Sequence, residues 1–173
     1  MVQAWFFTED DTDPRLPHRG EEITLEELKR IGVGYEYVAP DNYEAALENY
    51  KIKKGYDYSD VITIRKDKLP NYEQKIKSFF EEHIHSDDEI RYIPEGSGYF
   101  DVRNEEDRWV RIKVEPGDLL TVPAGIYHRF TVDTQDFITA VRLFAGEPVW
   151  TPINRPAEDH WARQSYLKSI SAA

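Results

Sequence analysis

The sequence contains no cysteine and a single methionine among 173 residues. Without a thiol there is no disulfide and no thiolate to act as nucleophile or ligand, so a bound metal must rely on nitrogen and oxygen. Long apolar runs are also missing: none approaches the ~18 residues that mark a membrane-spanning helix. Positive charge is scarce, with 22 Lys and Arg against 33 Asp and Glu, a formal net charge of -11 and a pI near 4.9. Phosphate binding draws its affinity from clustered Lys and Arg, so nucleic acid and anionic membrane surfaces are excluded as partners. The opening stretch MVQAWFFTEDD is acidic where a secretory leader is basic. The expectation is therefore a soluble intracellular protein, cytoplasmic, with the nucleus open to a chain of 20.3 kDa.

What is present argues for a packed fold. Apolar residues make up 40% and aromatics 13%, including 11 Tyr, 8 Phe and 4 Trp, despite a mean hydropathy of -0.68. A chain of this length buries roughly 70% of its extended surface, enough for one core. We read residues 1–173 as a single domain with three parts: an N-terminal arm with helices (1–56), a barrel (57–148) and a C-terminal tail (149–173).

In the arm, TLEELKRIG carries a capping box from Thr24 to Glu27 and a stop at Gly32, and DNYEAALENYKIKKG opens at Asp41 and stops near Gly55. A third helix fits NYEQKIKSFFEEH, started by Asn71, while DVITI at 60–64 reads as a strand. From about residue 89 the period changes to two. The runs EIRYI, GYFDVR, WVRIKV, DLLTV, YHRFTV and FITAVRLF are separated by turns rich in Pro, Gly, Asn and Asp. Six short strands joined this tightly define a mainly β fold, a barrel or a sandwich. The tail has two prolines and few aliphatics, which predicts a surface strand of chain that frays at its end.

Two of the five histidines stand one residue apart, in EEHIHSDDEIRYIPEGSGYF. Side chains at i and i+2 of a strand share a face, so His83 and His85 project together, with Glu89 and Arg91 if one register runs through SDD. A second element, GDLLTVPAGIYHRF, brings Gly117, Pro123 and Gly125 to a turn just before His128, with Phe130 on the same face. Singly, a His-x-His pair or a lone histidine is more often structural. Together they spell H-x-H-x3-E-x6-G and G-x5-P-x-G-x2-H.

This pair of motifs resembles the cupin superfamily. The resemblance implies a small jelly-roll β-barrel with a few peripheral helices, holding one divalent ion through His83, His85, Glu89 and His128. Lys77 and Val132 depart from the usual motif ends, and neither position is a ligand. Three imidazoles and one carboxylate suit Fe(II), Ni(II), Mn(II), Co(II) or Zn(II) and leave octahedral positions open. A divalent ion with one carboxylate leaves +1, so the pocket favours an anionic oxygen chelator although the protein is acidic.

More of the chain narrows the family. DPRLPHR, EEHIHSDDEIRYIPEGSGYFDVR, DRWVRI and NRPAEDHWAR look like the acireductone dioxygenase family of methionine salvage. The resemblance implies one Fe(II) or Ni(II) ion per chain, with an acireductone and dioxygen as the small-molecule partners. It also implies that Arg91 holds an enediolate oxygen and that Phe79, Phe130 and Trp150 surround the methylthio tail. His18 and His160 are expected to be structural, and Glu81, Glu82, Asp87 and Asp88 to form a solvated acidic rim. A monomer is expected, since no heptad or apolar strip is evident. The rivals are another cupin dioxygenase or isomerase using the same ligands, or a non-catalytic cupin interaction module.

Overall fold

The computed structural model describes residues 2–171. The N-terminal third contributes β1 (Gln3–Phe7), β2 (Arg19–Glu22), α1 (Leu25–Arg30), β3 (Gly34–Tyr37) and α2 (Tyr43–Lys54). The middle holds β4 (Tyr58–Ile64), α3 (Tyr72–Phe79), β5 (His83–Ile84), β6 (Glu89–Gly96), β7 (Gly98–Arg103), β8 (Trp109–Val114), β9 (Asp118–Val122), β10 (His128–Val132) and β11 (Ile138–Phe144). β12 (Ile153–Asn154) and α4 (Trp161–Ser171) follow.

The strands form two antiparallel sheets. One has the order β12-β5-β10-β7-β8-β1-β2 and the other β3-β9-β6-β11-β4. Their facing sides enclose one apolar core that includes Ile93, Phe100, Val102, Ile112, Leu120 and Val132. The architecture is a mainly β, cupin-type barrel with few helices. The six runs of period two appear as β6 to β11, and DVITI lies within β4. β6 is buried on both sides, because Leu47 of α2 packs on Ile90, Tyr92, Leu119 and Leu143 behind the five-stranded sheet. Each such aliphatic side chain stabilises the fold by roughly 1.5–3 kcal/mol.

The arm differs from expectation. It carries three strands besides its helices: β1 pairs with β8 and extends one sheet, while β3 pairs with β9 and extends the other. These strands are four or five residues long, and what makes them strands is a distant partner edge. The capping box of Thr24 and Glu27 is present at α1, and Gly32 follows with φ +90°. Asn42, not Asp41, heads α2, and like Asn71 at α3 it takes a left-handed backbone without a side-chain cap bond.

The tail also differs. Residues 161–171 are helical, and the helix is held by few but specific contacts. Ala162 and Tyr166 are buried, and the Tyr166 hydroxyl donates to the Ile31 carbonyl at 2.7 Å. Gly125 has φ +82°, and a Cβ there would lie 2.2 Å from the Ala162 carbonyl oxygen. Glycine thus lets the turn before His128 and the tail helix meet, a close approach invisible to hydropathy.

Candidate metal centre

His83 and His128 are direct partners across the β5–β10 ladder, and His85 follows β5 by one residue. Glu89 opens β6 in the other sheet, opposite Val122. The SDD segment therefore carries the chain from one sheet to the other. The single register expected through it does not exist. Convergence comes instead from the closure of the barrel, which turns the inner faces of both sheets toward one point.

One donor nitrogen from each of His83, His85 and His128 lies within 4.8 Å of the others. Their ring centroids are 4.8, 4.4 and 5.3 Å apart. Glu89 joins them through Oε2, 2.8 Å from His128 Nε2 and 3.8 Å from His85 Nε2. Behind the rings, His83 Nδ1 faces the Glu81 carbonyl at 2.6 Å, His128 Nδ1 that of Ile126 at 3.0 Å, and His85 Nδ1 that of Thr151 at 3.3 Å. A carbonyl only accepts, so His83 and His85 carry the proton on Nδ1 and turn an Nε2 lone pair inward, while His128 Nε2 donates to the Glu89 carboxylate at 2.8 Å. The tautomer of His83 and His85 is what a metal requires.

Burial, and then the neighbouring His128 ring, push His83 down to about 4. Burial lowers His85 as well, against the opposing pull of Glu89. For Glu89 burial alone would favour the acid, but Arg91 and the His128 hydrogen bond hold the carboxyl well below its ordinary range. Arg91 Nη2 donates to Glu89 Oε1 at 2.9 Å and Nη1 to the Ile90 carbonyl at 3.1 Å. At neutral pH the site thus presents His83 and His85 as neutral imidazoles, Glu89 as a carboxylate and Arg91 as a guanidinium.

These groups end a cavity of about 180 Å³. All three expected aromatics line it, but in two places. Phe79 stands edge-on to Phe130 at 6.3 Å, and Phe130 packs on Phe100 at 4.9 Å, in an apolar part completed by Ile62, Ile64, Ile138 and Ala140. Trp150 instead lies over Arg91 at 5.4 Å and Arg142 at 4.2 Å, among the charges.

Sequence reasoning missed Arg142, although a lone arginine two residues beyond Ala140 and four beyond Ile138 in FITAVRLF shares their parity. It also missed Glu82, which is no part of a solvated rim. Glu82 accepts from Arg103 at 2.9 Å and from Arg155 at 2.7 Å, fixing the residue before His83. Asp88 accepts from the Ala124 N–H at 2.8 Å. His18 is buried in the arm between the Thr8 and Asp13 carbonyls, and His160 Nδ1 accepts from Ala162 N–H at the start of α4. Both lie apart from the cluster.

A two-sheet barrel that gathers three imidazoles and a carboxylate inside is a metal-site protein of the cupin type. Comparison with known proteins narrows this. The model of the ARD/ARD′ family matches residues 3–152. Acireductone dioxygenase of Homo sapiens is 56% identical, with 99% of this chain and 98% of that protein covered. That of Gallus gallus is 53% identical over the same shares. A solved acireductone dioxygenase from Bacillus anthracis, with a cadmium ion in its active centre, shares the fold at TM-score 0.73 and 24% identity, covering 88% of this chain and 98% of that one. The chain belongs to the ARD/ARD′ family.

Proposed function

We propose that this chain is an acireductone dioxygenase of methionine salvage, acting on 1,2-dihydroxy-3-oxo-5-methylthiopentene with dioxygen. The observation that carries the reading is the set of three inward Nε2 atoms, fixed by backbone carbonyls, beside the Glu89 carboxylate. His83, His85, Glu89 and His128 would hold one Fe(II) or Ni(II) ion. Bound there, the ion supplies Lewis acidity and a template for an oxygen chelator.

The remaining work falls to the chain. Arg91 spends two N–H groups on Glu89 and Ile90, so others of its five stay available for an anionic oxygen of the substrate. Its charge and the +1 left at the centre together match an enediolate dianion. Phe79, Phe100 and Phe130 receive the methylthio tail and keep water from the reacting carbons. Trp150 sits over the arginines, so it borders the polar end and not the tail. We take the monomer as the catalytic unit.

The test is to strip the protein with chelator, reload separate samples with Fe(II) or Ni(II), and follow oxygen uptake and products on adding the acireductone. Iron should give 4-methylthio-2-oxobutanoate and formate; nickel should give 3-methylthiopropanoate, formate and carbon monoxide. If neither sample accelerates oxygen uptake while metal stays bound, the reading fails.

A further inference from the structure

The five-stranded wall of the cavity carries a second guanidinium with no part in the scheme above. Arg142 stands on β11 directly between Arg91 of β6 and Asp60 of β4, each its Cα partner in the ladder. Its Nε and Nη2 donate to the two Asp60 oxygens at 2.7 Å each, and the Tyr58 hydroxyl donates to Asp60 Oδ2 at 2.7 Å. This clamp occupies one edge of the guanidinium. Among the described residues Nη1 makes no hydrogen bond, and Arg142 lines the cavity. One indole, Trp150, covers both Arg142 and Arg91.

Two guanidinium groups on neighbouring strands repel one another. A pair whose only task was to tie β4 to β11 would not need one of them to face the cavity beside Arg91. Glu89 and Asp60 already balance the two charges, so what an anion in the cavity would meet is the edge of Arg142 left free beside Arg91, and the acireductone offers such an anion. Its enediol double bond is conjugated with the carbonyl, so ionisation spreads negative charge over oxygens on both ends of a three-carbon unit. Chelation by one ion takes two oxygens, and the third remains.

We propose that Arg142, oriented by Asp60, is a specificity-determining residue whose free Nη1 edge binds this third oxygen, so that the pocket selects chelators that keep a further anionic oxygen beyond the two held at the metal centre. The inference rests on the acireductone reading and names how that site recognises its substrate class.

The experiment uses the full chain loaded with Ni(II) under argon, as wild type, Arg142→Met and Arg142→Lys, with metal content measured for each. Calorimetry then compares two probes: 4-methylthio-2-oxobutanoate, which keeps a third oxygen after chelation, and acetohydroxamate, which has only two oxygens. Arg142→Met should weaken the keto acid by about 10- to 100-fold, the worth of one charge-assisted hydrogen bond, and leave acetohydroxamate within about twofold. Arg142→Lys, which keeps the charge and most of the packing, should lose less on the keto acid and nothing on acetohydroxamate. Equal losses on both probes, or loss of metal, would assign Arg142 to strand tying alone, as would an unchanged keto acid affinity. Failure of the loaded wild type to consume oxygen with the acireductone would sink the functional reading separately, since the two-probe difference needs no turnover.

Discussion

The two walls of the cavity are made differently. The seven-stranded sheet and its flanks bring His83 and His85, which burial keeps neutral, together with His128, Phe100 and Phe130. The five-stranded sheet brings Glu89, Arg91 and Arg142, backed by Asp60, and below them the aliphatics Ile62, Ile93, Ile138 and Ala140. One wall can hold a cation through lone pairs; the other sets the charge that a substrate meets. Three of the four proposed ligands thus stand on one wall and the proposed partners of the substrate's charge on the other, and apart from Glu89, which serves the metal from the second wall, the two affinities should be separable by mutation.

The sharpest break is on the histidine wall. His128→Ala removes a buried donor and should abolish metal retention after dialysis, with activity down more than about 1000-fold; retained metal by elemental analysis would show that this wall does not hold it. Across the cavity, Arg91→Met should lower kcat/KM by about 100-fold with metal content unchanged, as expected for loss of a charged contact to the substrate. Equal loss of metal and turnover would merge the two walls.

A third test concerns the neutral state of the imidazoles in the metal-free protein. His83 sits at about 4 when folded, against roughly 6.5 in an unfolded chain. Above 6.5 neither state is protonated and the group contributes nothing. As pH falls from 6.5 toward 4 the unfolded chain takes the proton first, so folding loses stability, on the order of 3 kcal/mol in full. Denaturant melts across this window should show the loss, and His83→Gln should flatten it; equal slopes would show that the ring is not held neutral by burial. The smallest effect is expected at the apolar end. Phe130→Leu should raise KM for the acireductone by about fivefold and leave an analogue without the methylthio tail unchanged.

The motif residues made the chemistry legible before the geometry. H-x-H-x3-E and G-x2-H point to four side chains that the fold brings together, and the period-two runs give β6 to β11 closely. The route was less legible. Shared strand parity led to Glu89 and Arg91 on the strand of His83, whereas they stand on a different sheet. Residues whose role depends on a distant partner were hidden for a related reason. Gln3–Phe7 becomes a strand because Trp109–Val114 offers an edge, and Arg142 matters because Arg91 and Asp60 flank it. Glu82 looked like one more surface carboxylate because the arginines that bury it lie 21 and 73 residues away.

The Thr151 carbonyl behind His85 has one more consequence. β12 pairs with β5, and Arg155 grips Glu82, so residues 151–155 orient two of the three imidazoles from behind. These residues follow β1 to β11 in the chain. The strands β1 to β11 therefore do not aim the histidines by themselves; a short stretch of chain laid down after them fixes the direction of two rings from outside the cavity.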